Sequence, residues 1–137
     1  MGEMSVLLVD DEKDFLEVLA KRLRKRKLNL VIANSGEEAI GAIRGSQIDV
    51  VVLDMRMPQM DGLETLREIK RINPVVEVIM LTGHANVNTA VKGMELGAFD
   101  YLIKPVDIDE LLYKLQDAFK KKAMSEPSSG KTDPAKD

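Results

Sequence analysis

The feature that most restricts how this chain can fold is an alternation. Five short aliphatic runs, Val6-Leu7-Leu8-Val9, Leu28 to Ala33, Val50-Val51-Val52-Leu53, Val75 to Leu81 and Phe99 to Ile103, are separated by longer stretches with a different period. The first and third runs carry no polar alternation. Strands buried on both faces read this way, and parallel sheets bury both faces. In the longer stretches apolar residues recur at helical spacing: Phe15, Leu19 and Leu23; Leu63, Leu66 and Ile69; Val87, Ala90, Val91 and Met94; Leu111, Leu112, Leu115 and Phe119. Ser35, Asp61 and Asp107 each stand three residues before a glutamate, the pattern of a reciprocal helix cap. The spacing predicts strands near 4–9, 28–33, 50–53, 76–81 and 99–103, each followed by a helix. The expected class is α/β, a doubly wound parallel sheet with helices on both faces and right-handed crossovers. Such sheets place ligands in the crevice beyond the carboxyl ends of their strands.

Composition removes several classes of function. A chain of 137 residues is the size of one domain. It has no cysteine, so disulfides, thiolate metal sites and cysteine nucleophiles are excluded. A net charge of −3 gives no general reason to expect nucleic acid as a partner. The basic run Lys21-Arg22-Leu23-Arg24-Lys25-Arg26-Lys27 could meet an acidic partner, but it is better read as solvated cations at a helix C-terminus, where the dipole favours them. Two Tyr, three Phe and no Trp leave little for base stacking. No segment approaches the ~18 apolar residues of a membrane span. Met1-Gly2-Glu3-Met4 lacks the basic start and long apolar region of a signal peptide, so a cytoplasmic location is expected. Residues 1–122 are expected to form the folded domain, and 123–137, nearly devoid of apolar side chains, a disordered polar tail or linker.

The chemistry gathers at the strand ends. Strand 1 runs into Asp10-Asp11, strand 3 into Asp54, strand 4 into Thr82 and strand 5 into Lys104. In a parallel sheet all of these emerge along one edge. Two like charges 4 Å apart cost about 4 kcal/mol at an effective dielectric near 20, so such a cluster either takes up a proton or holds a cation. Oxygen donors without His or Cys favour a hard ion, and Mg²⁺ is the expected cofactor. Taken singly, each residue has a plainer reading: Asp10 and Asp11 as helix caps, Thr82 as a turn residue, Lys104 as a solvated surface charge. Only their convergence on one edge argues for a site.

Four segments carry a family resemblance: Leu8-Val9-Asp10-Asp11-Glu12, Leu53 through Gly62, Leu81-Thr82-Gly83-His84 and Tyr101-Leu102-Ile103-Lys104-Pro105. They are similar to the signature segments of two-component response-regulator receivers over about residues 4–122, and Leu81 to Pro105 is most like receivers of the nitrogen-regulator type. The resemblance implies a flavodoxin-like (βα)₅ fold of strand order 2-1-3-4-5. It implies that Asp54 accepts a phosphoryl group from a sensor histidine kinase. Asp11, Asp54 and the backbone carbonyl of Arg56 would hold Mg²⁺, with Asp10 assisting through water. Lys104 and Thr82 would contact the phosphoryl group, and Tyr101 would turn inward as Thr82 moves. The Lys104–Pro105 peptide would be cis, and Gly62 would open the third helix. Partner binding would change on the helix 4–strand 5–helix 5 surface, toward an unknown downstream protein or a second copy of the chain. Direct binding of nucleic acid or membrane by this domain is not expected.

Two positions invite separate expectations. Arg56 and His84 each lie two residues beyond an implied site residue, and both are expected at the pocket mouth, tuning the loss of the phosphoryl group. Met55, Met57 and Met60 read as packing residues. A phosphatase of the haloacid-dehalogenase type would need an acid two residues after its nucleophile, where Arg56 stands. A flavodoxin-like nucleotide binder would need a Gly-rich loop after strand 1, where Asp10-Asp11 would repel phosphate. A receiver that works without phosphorylation would not need the full set of pocket residues.

Overall fold

The structure, a computed structural model, describes residues 4–56, 61–83 and 87–125. Strands and helices alternate strictly: β1 (Ser5–Val9), α1 (Lys13–Arg24), β2 (Asn29–Ala33), α2 (Gly36–Gly45), β3 (Val50–Asp54), α3 (Gly62–Ile72), β4 (Glu77–Thr82), α4 (Val87–Glu95), β5 (Asp100–Ile103) and α5 (Ile108–Ser125). All five strands are parallel, in the order β2-β1-β3-β4-β5. The chain winds outward from β1 in one direction and then reverses to β3, which puts the topological switch point between β1 and β3.

The period-2 alternation of the strands feeds two cores. Leu7, Val9, Val51, Leu53, Val78 and Met80 face α2, α3 and α4, meeting Ala39, Ile43, Leu66, Ile69 and Ala90. Their neighbours Leu8, Val50, Val52, Ile79, Leu81 and Leu102 face α1 and α5, meeting Leu16, Leu19, Leu23, Leu111 and Leu115. β3 and β4 are buried along their whole length, as a continuous aliphatic run requires of central strands, while edge strand β2 is half open.

Three local details differ from the expectation. The α4 stripe of Val87, Ala90, Val91 and Met94 does not all face the sheet: Ala90 is buried, but Val91 and Met94 are 51% and 41% exposed. Small residues set this face. A Cβ on Gly93 would lie 2.1 Å from the Met80 sulfur, so α4 seats on β4 through Ala90 and Gly93 and turns Val91 and Met94 outward. At α5, the Asp107 carboxylate caps the helix through the N–H of Asp109 (2.9 Å), one residue before Glu110, whereas Ser35 and Asp61 accept from Glu38 and Glu64. Helix α5 also runs on through Ser125, into residues whose composition reads as tail. Lys122 and Lys121 hold it to the sheet's amino edge, pairing with Asp49 and with buried Glu77, each at 2.9 Å.

Candidate phosphoacceptor site

Backbone bonds hold the carboxyl edge of the sheet together one residue past each strand. The Asp10 N–H donates to the Ala33 carbonyl (3.2 Å), Met55 to Leu81 (3.0 Å) and Lys104 to Thr82 (2.8 Å). Val9 lies opposite Leu53, so Asp10 and Asp54 leave adjacent strands side by side at the switch point. Both continue the strand phase that faces α1 and α5, and so does Lys104 after Leu102. Thr82 continues the opposite phase, that of Val78 and Met80. Tyr101, paired in register with Met80, is half-buried against the same α2–α4 core. The two implied switch residues thus share one side of the sheet, and the acidic cluster lies on the other.

The cluster is tight. Carboxylate oxygens of Asp10, Asp11 and Asp54 lie within 4.8 Å of one another. Asp10 and Asp54 are 1% and 3% exposed, while Asp11 is open to solvent. The Lys104 ammonium is 3.3 Å from Asp10 Oδ2, 3.5 Å from Asp54 Oδ1 and 4.0 Å from Glu12 Oε1. Backbone N–H groups fix the remaining orientation: Glu12 donates to Asp10 Oδ1 (3.0 Å) and Arg56 to Asp54 Oδ1 (3.2 Å). Burial, followed by the charge of Asp10, pushes the Asp54 carboxyl up from 3.8 to about 6, against the opposing pull of Lys104. One ammonium does not balance the charge of three clustered carboxylates, a group that could hold a metal ion. Oxygens bound to one Mg²⁺ at about 2.0–2.1 Å lie within about 4.2 Å of each other, a spacing that solvent-exposed Asp11 can close. The donor set fits that ion.

The structure therefore brings Asp10, Asp11, Asp54 and Lys104 into one pocket and buries Thr82 at the end of β4, the strand between β3 and β5. The Thr82 hydroxyl donates to the Gly83 carbonyl at 3.3 Å. The Lys104–Pro105 peptide is cis. Gly62 packs so closely on Met55 that a Cβ would sit 2.5 Å from its Cα, which explains the glycine at the start of α3. Met55 is a packing residue, 4% exposed, and the Arg56 side chain is exposed. His84, Met57 and Met60 lie outside the described residues. Sequence reasoning misses two neighbours of Lys104. Glu12 marks only a helix start in the sequence and Phe15 only a core stripe, yet Glu12 reaches the ammonium and the Phe15 ring centroid lies 4.8 Å from it.

A doubly wound parallel sheet with an acidic crevice at its switch point defines a class of α/β module. The chain belongs to the response regulator receiver domain family, whose model matches residues 6–116. Phosphorylation-dependent signalling is the general role of that family. Among curated relatives, the transcriptional regulatory protein ZraR of Escherichia coli (strain K12) is 42% identical over 115 residues, 84% of this chain and 26% of ZraR. The regulatory protein AtoC of the same strain is 38% identical over 119 residues, 87% of this chain and 26% of AtoC. The chain thus spans about a quarter of the length of these relatives. Among solved structures, a response regulator receiver domain protein from Clostridium thermocellum superposes with a TM-score of 0.86 at 35% identity, covering 90% of this chain and 99% of that one. The receiver domain of NtrX from Brucella abortus superposes at 0.79 and 33% identity, covering 84% and 98%.

Proposed function

We propose that this chain is a cytoplasmic phosphorylation switch in which the Asp54 carboxylate takes a phosphoryl group from the phosphohistidine of a sensor kinase. The observation that carries the reading is the cluster itself: a buried carboxylate held between two more carboxylates and one ammonium, at the switch point of the sheet. An Asp54 oxygen attacks phosphorus, the P–N bond to imidazole breaks, and the product is an acyl phosphate. Asp11, Asp54 and the Arg56 backbone carbonyl would hold Mg²⁺, with Asp10 assisting through water, and the ion would supply screening of charge on the phosphoryl oxygens.

The protein's own groups do the rest. Lys104, already beside Asp54, pairs with the phosphoryl group, and Thr82 donates its hydroxyl to it. Charge-assisted hydrogen bonds are worth ~1.5–3 kcal/mol each, so two supply on the order of 3–6 kcal/mol. Moving a two-state equilibrium from 1:99 to 99:1 takes about 5.5 kcal/mol. Two new contacts are enough to throw the switch, with little to spare. Tyr101, on the same side of the sheet as Thr82, follows it inward. The affinity of the α4–β5–α5 face then changes toward a downstream protein or a second copy of the chain. Exposed Val91, Met94 and Tyr113 on α4 and α5 supply apolar contact area. Arg56 and His84 tune the loss of the phosphoryl group from the pocket mouth. The chain acts as a switch whose only chemistry is its own phosphorylation and dephosphorylation.

The test is intact mass after incubation with a small phosphodonor and Mg²⁺, with Asp54→Ala as control. A labile gain of one phosphoryl group on the wild type alone is expected. Turnover of many donor molecules per protein would favour an enzyme instead, and no gain would refute the proposal.

A further inference from the structure

Lys104 has one neighbour that is not a carboxylate. Its ammonium stands 4.8 Å from the centroid of the Phe15 ring, within cation–π range. Phe15 lies in the first turn of α1, half-buried against the core formed by α1, α5 and the sheet. The ring is therefore anchored by packing, while the lysine comes from the end of β5. The side chain of Lys104 is 27% exposed and its stem has four rotatable carbons, so ion pairs alone hold it loosely.

A ring face attracts an ammonium without consuming an N–H donor. Asp10 and Asp54 take their contacts at 3.3 and 3.5 Å, and the ring does not compete with them for the ammonium hydrogens. Glu12, 69% exposed and 4.0 Å from the ammonium, draws it outward to solvent. Resting on the phosphoacceptor reading of Asp54, we propose that Phe15 is a positioning residue: its ring face keeps the Lys104 ammonium inside the acidic pocket with its donors directed at Asp54, ready for the incoming phosphoryl group. The role depends on the electrostatics of an aromatic face, and an aliphatic side chain of similar bulk cannot fill it.

The experiment compares the wild type with Phe15→Leu, Phe15→Tyr and a trifluorinated phenylalanine at position 15, which keeps apolar bulk but weakens the electron-rich face. Two quantities are read: the rate of labelling by a small phosphodonor with saturating Mg²⁺, and the NMR shifts of the Lys104 ε-methylene protons, which a ring face moves upfield. An exposed cation–π contact corresponds to about a 2–5-fold effect on the rate. Slowing of that size is expected with leucine and with the fluorinated ring, and tyrosine is expected to match the wild type. The ε-methylene shift should relax toward its ordinary position in Phe15→Leu. Identical ε-methylene shifts in the wild type and Phe15→Leu would overturn the proposal, as would unchanged rates. A fluorinated variant as fast as the wild type beside a slow leucine variant would reduce Phe15 to packing and overturn it as well. If the wild type itself gains no phosphoryl group, the reading of Asp54 fails and the positioning role falls with it, while the shifts still report whether ring and ammonium touch.

Discussion

Replacing Asp54 with asparagine in magnesium-free buffer should make the protein more stable at neutral pH. In the folded state burial and Asp10 hold the Asp54 carboxyl near 6, against a reference of 3.8. The folded protein therefore binds this proton more tightly than the unfolded chain does. Between those two values stability falls as pH rises, and above about 6 the full cost of the buried charge is in place. A carboxyl raised that far carries a cost of about 3 kcal/mol. That cost is already net of the attraction to Lys104; asparagine removes it and keeps an oxygen to accept from the Arg56 N–H, but buries an amide NH₂ that needs an acceptor, so a net gain of about 1–3 kcal/mol is expected. At about 4 °C per kcal/mol for a chain of this size, Tm should rise by about 4–12 °C. Thermal unfolding with a chelator at about pH 7.5 measures the gap, and the same scan near pH 4 should show it almost closed, because the wild-type carboxyl is then protonated in the fold. Saturating Mg²⁺ should also narrow it, by stabilising the wild type through mass action. An asparagine variant that is less stable at the higher pH, or a gap that ignores pH, would refute the electrostatic reasoning.

Other outcomes follow from packing and charge. Gly62→Ala forces a Cβ to 2.5 Å from Met55 Cα and should cost about 1–3 kcal/mol in chemical denaturation, whereas Gly41→Ala, in the middle of α2 with nothing within 4 Å, should gain about 0.5–1 kcal/mol. Glu77 is 1% exposed, and its Oε1 has no hydrogen-bond partner among the described residues. Lys121→Met leaves that carboxylate without its ion pair and should cost about 1–2 kcal/mol, while Glu77→Met removes the buried charge and should be neutral or stabilising by the same assay. Arg56→Ala and His84→Ala should each change the half-life of the phosphorylated protein; unchanged half-lives would rule out tuning from the pocket mouth.

Much of this architecture can be read from residue patterns, because buried parallel strands leave an unambiguous mark. The run Val50-Val51-Val52-Leu53 has no polar face, and it is the central strand. The site is legible for the same reason: parallel strands send their ends to one edge, so Asp10, Asp54 and Lys104, in the same strand phase, meet there, with Thr82 at the end of the strand between. What stays hidden depends on backbone distance or on side-chain reach across elements. The seat of α4 is set by Gly93 against Met80, a close approach that periodicity among large residues cannot report. Phe15 satisfies the α1 stripe whether or not a lysine lies over its ring, so only the placement of Lys104 reveals its second contact. The continuation of α5 to Ser125 rests on Lys121 and Lys122 reaching acids at the opposite edge of the sheet, and composition alone marks such residues as solvent-facing.

The most direct measurement is peptide mapping after borohydride reduction, which converts an aspartyl phosphate to homoserine, on protein incubated with a phosphodonor at graded Mg²⁺ concentrations. Homoserine at position 54 alone, rising with Mg²⁺ and absent in chelator, is the expected result. Homoserine at another aspartate, or at position 54 regardless of Mg²⁺, would contradict the account.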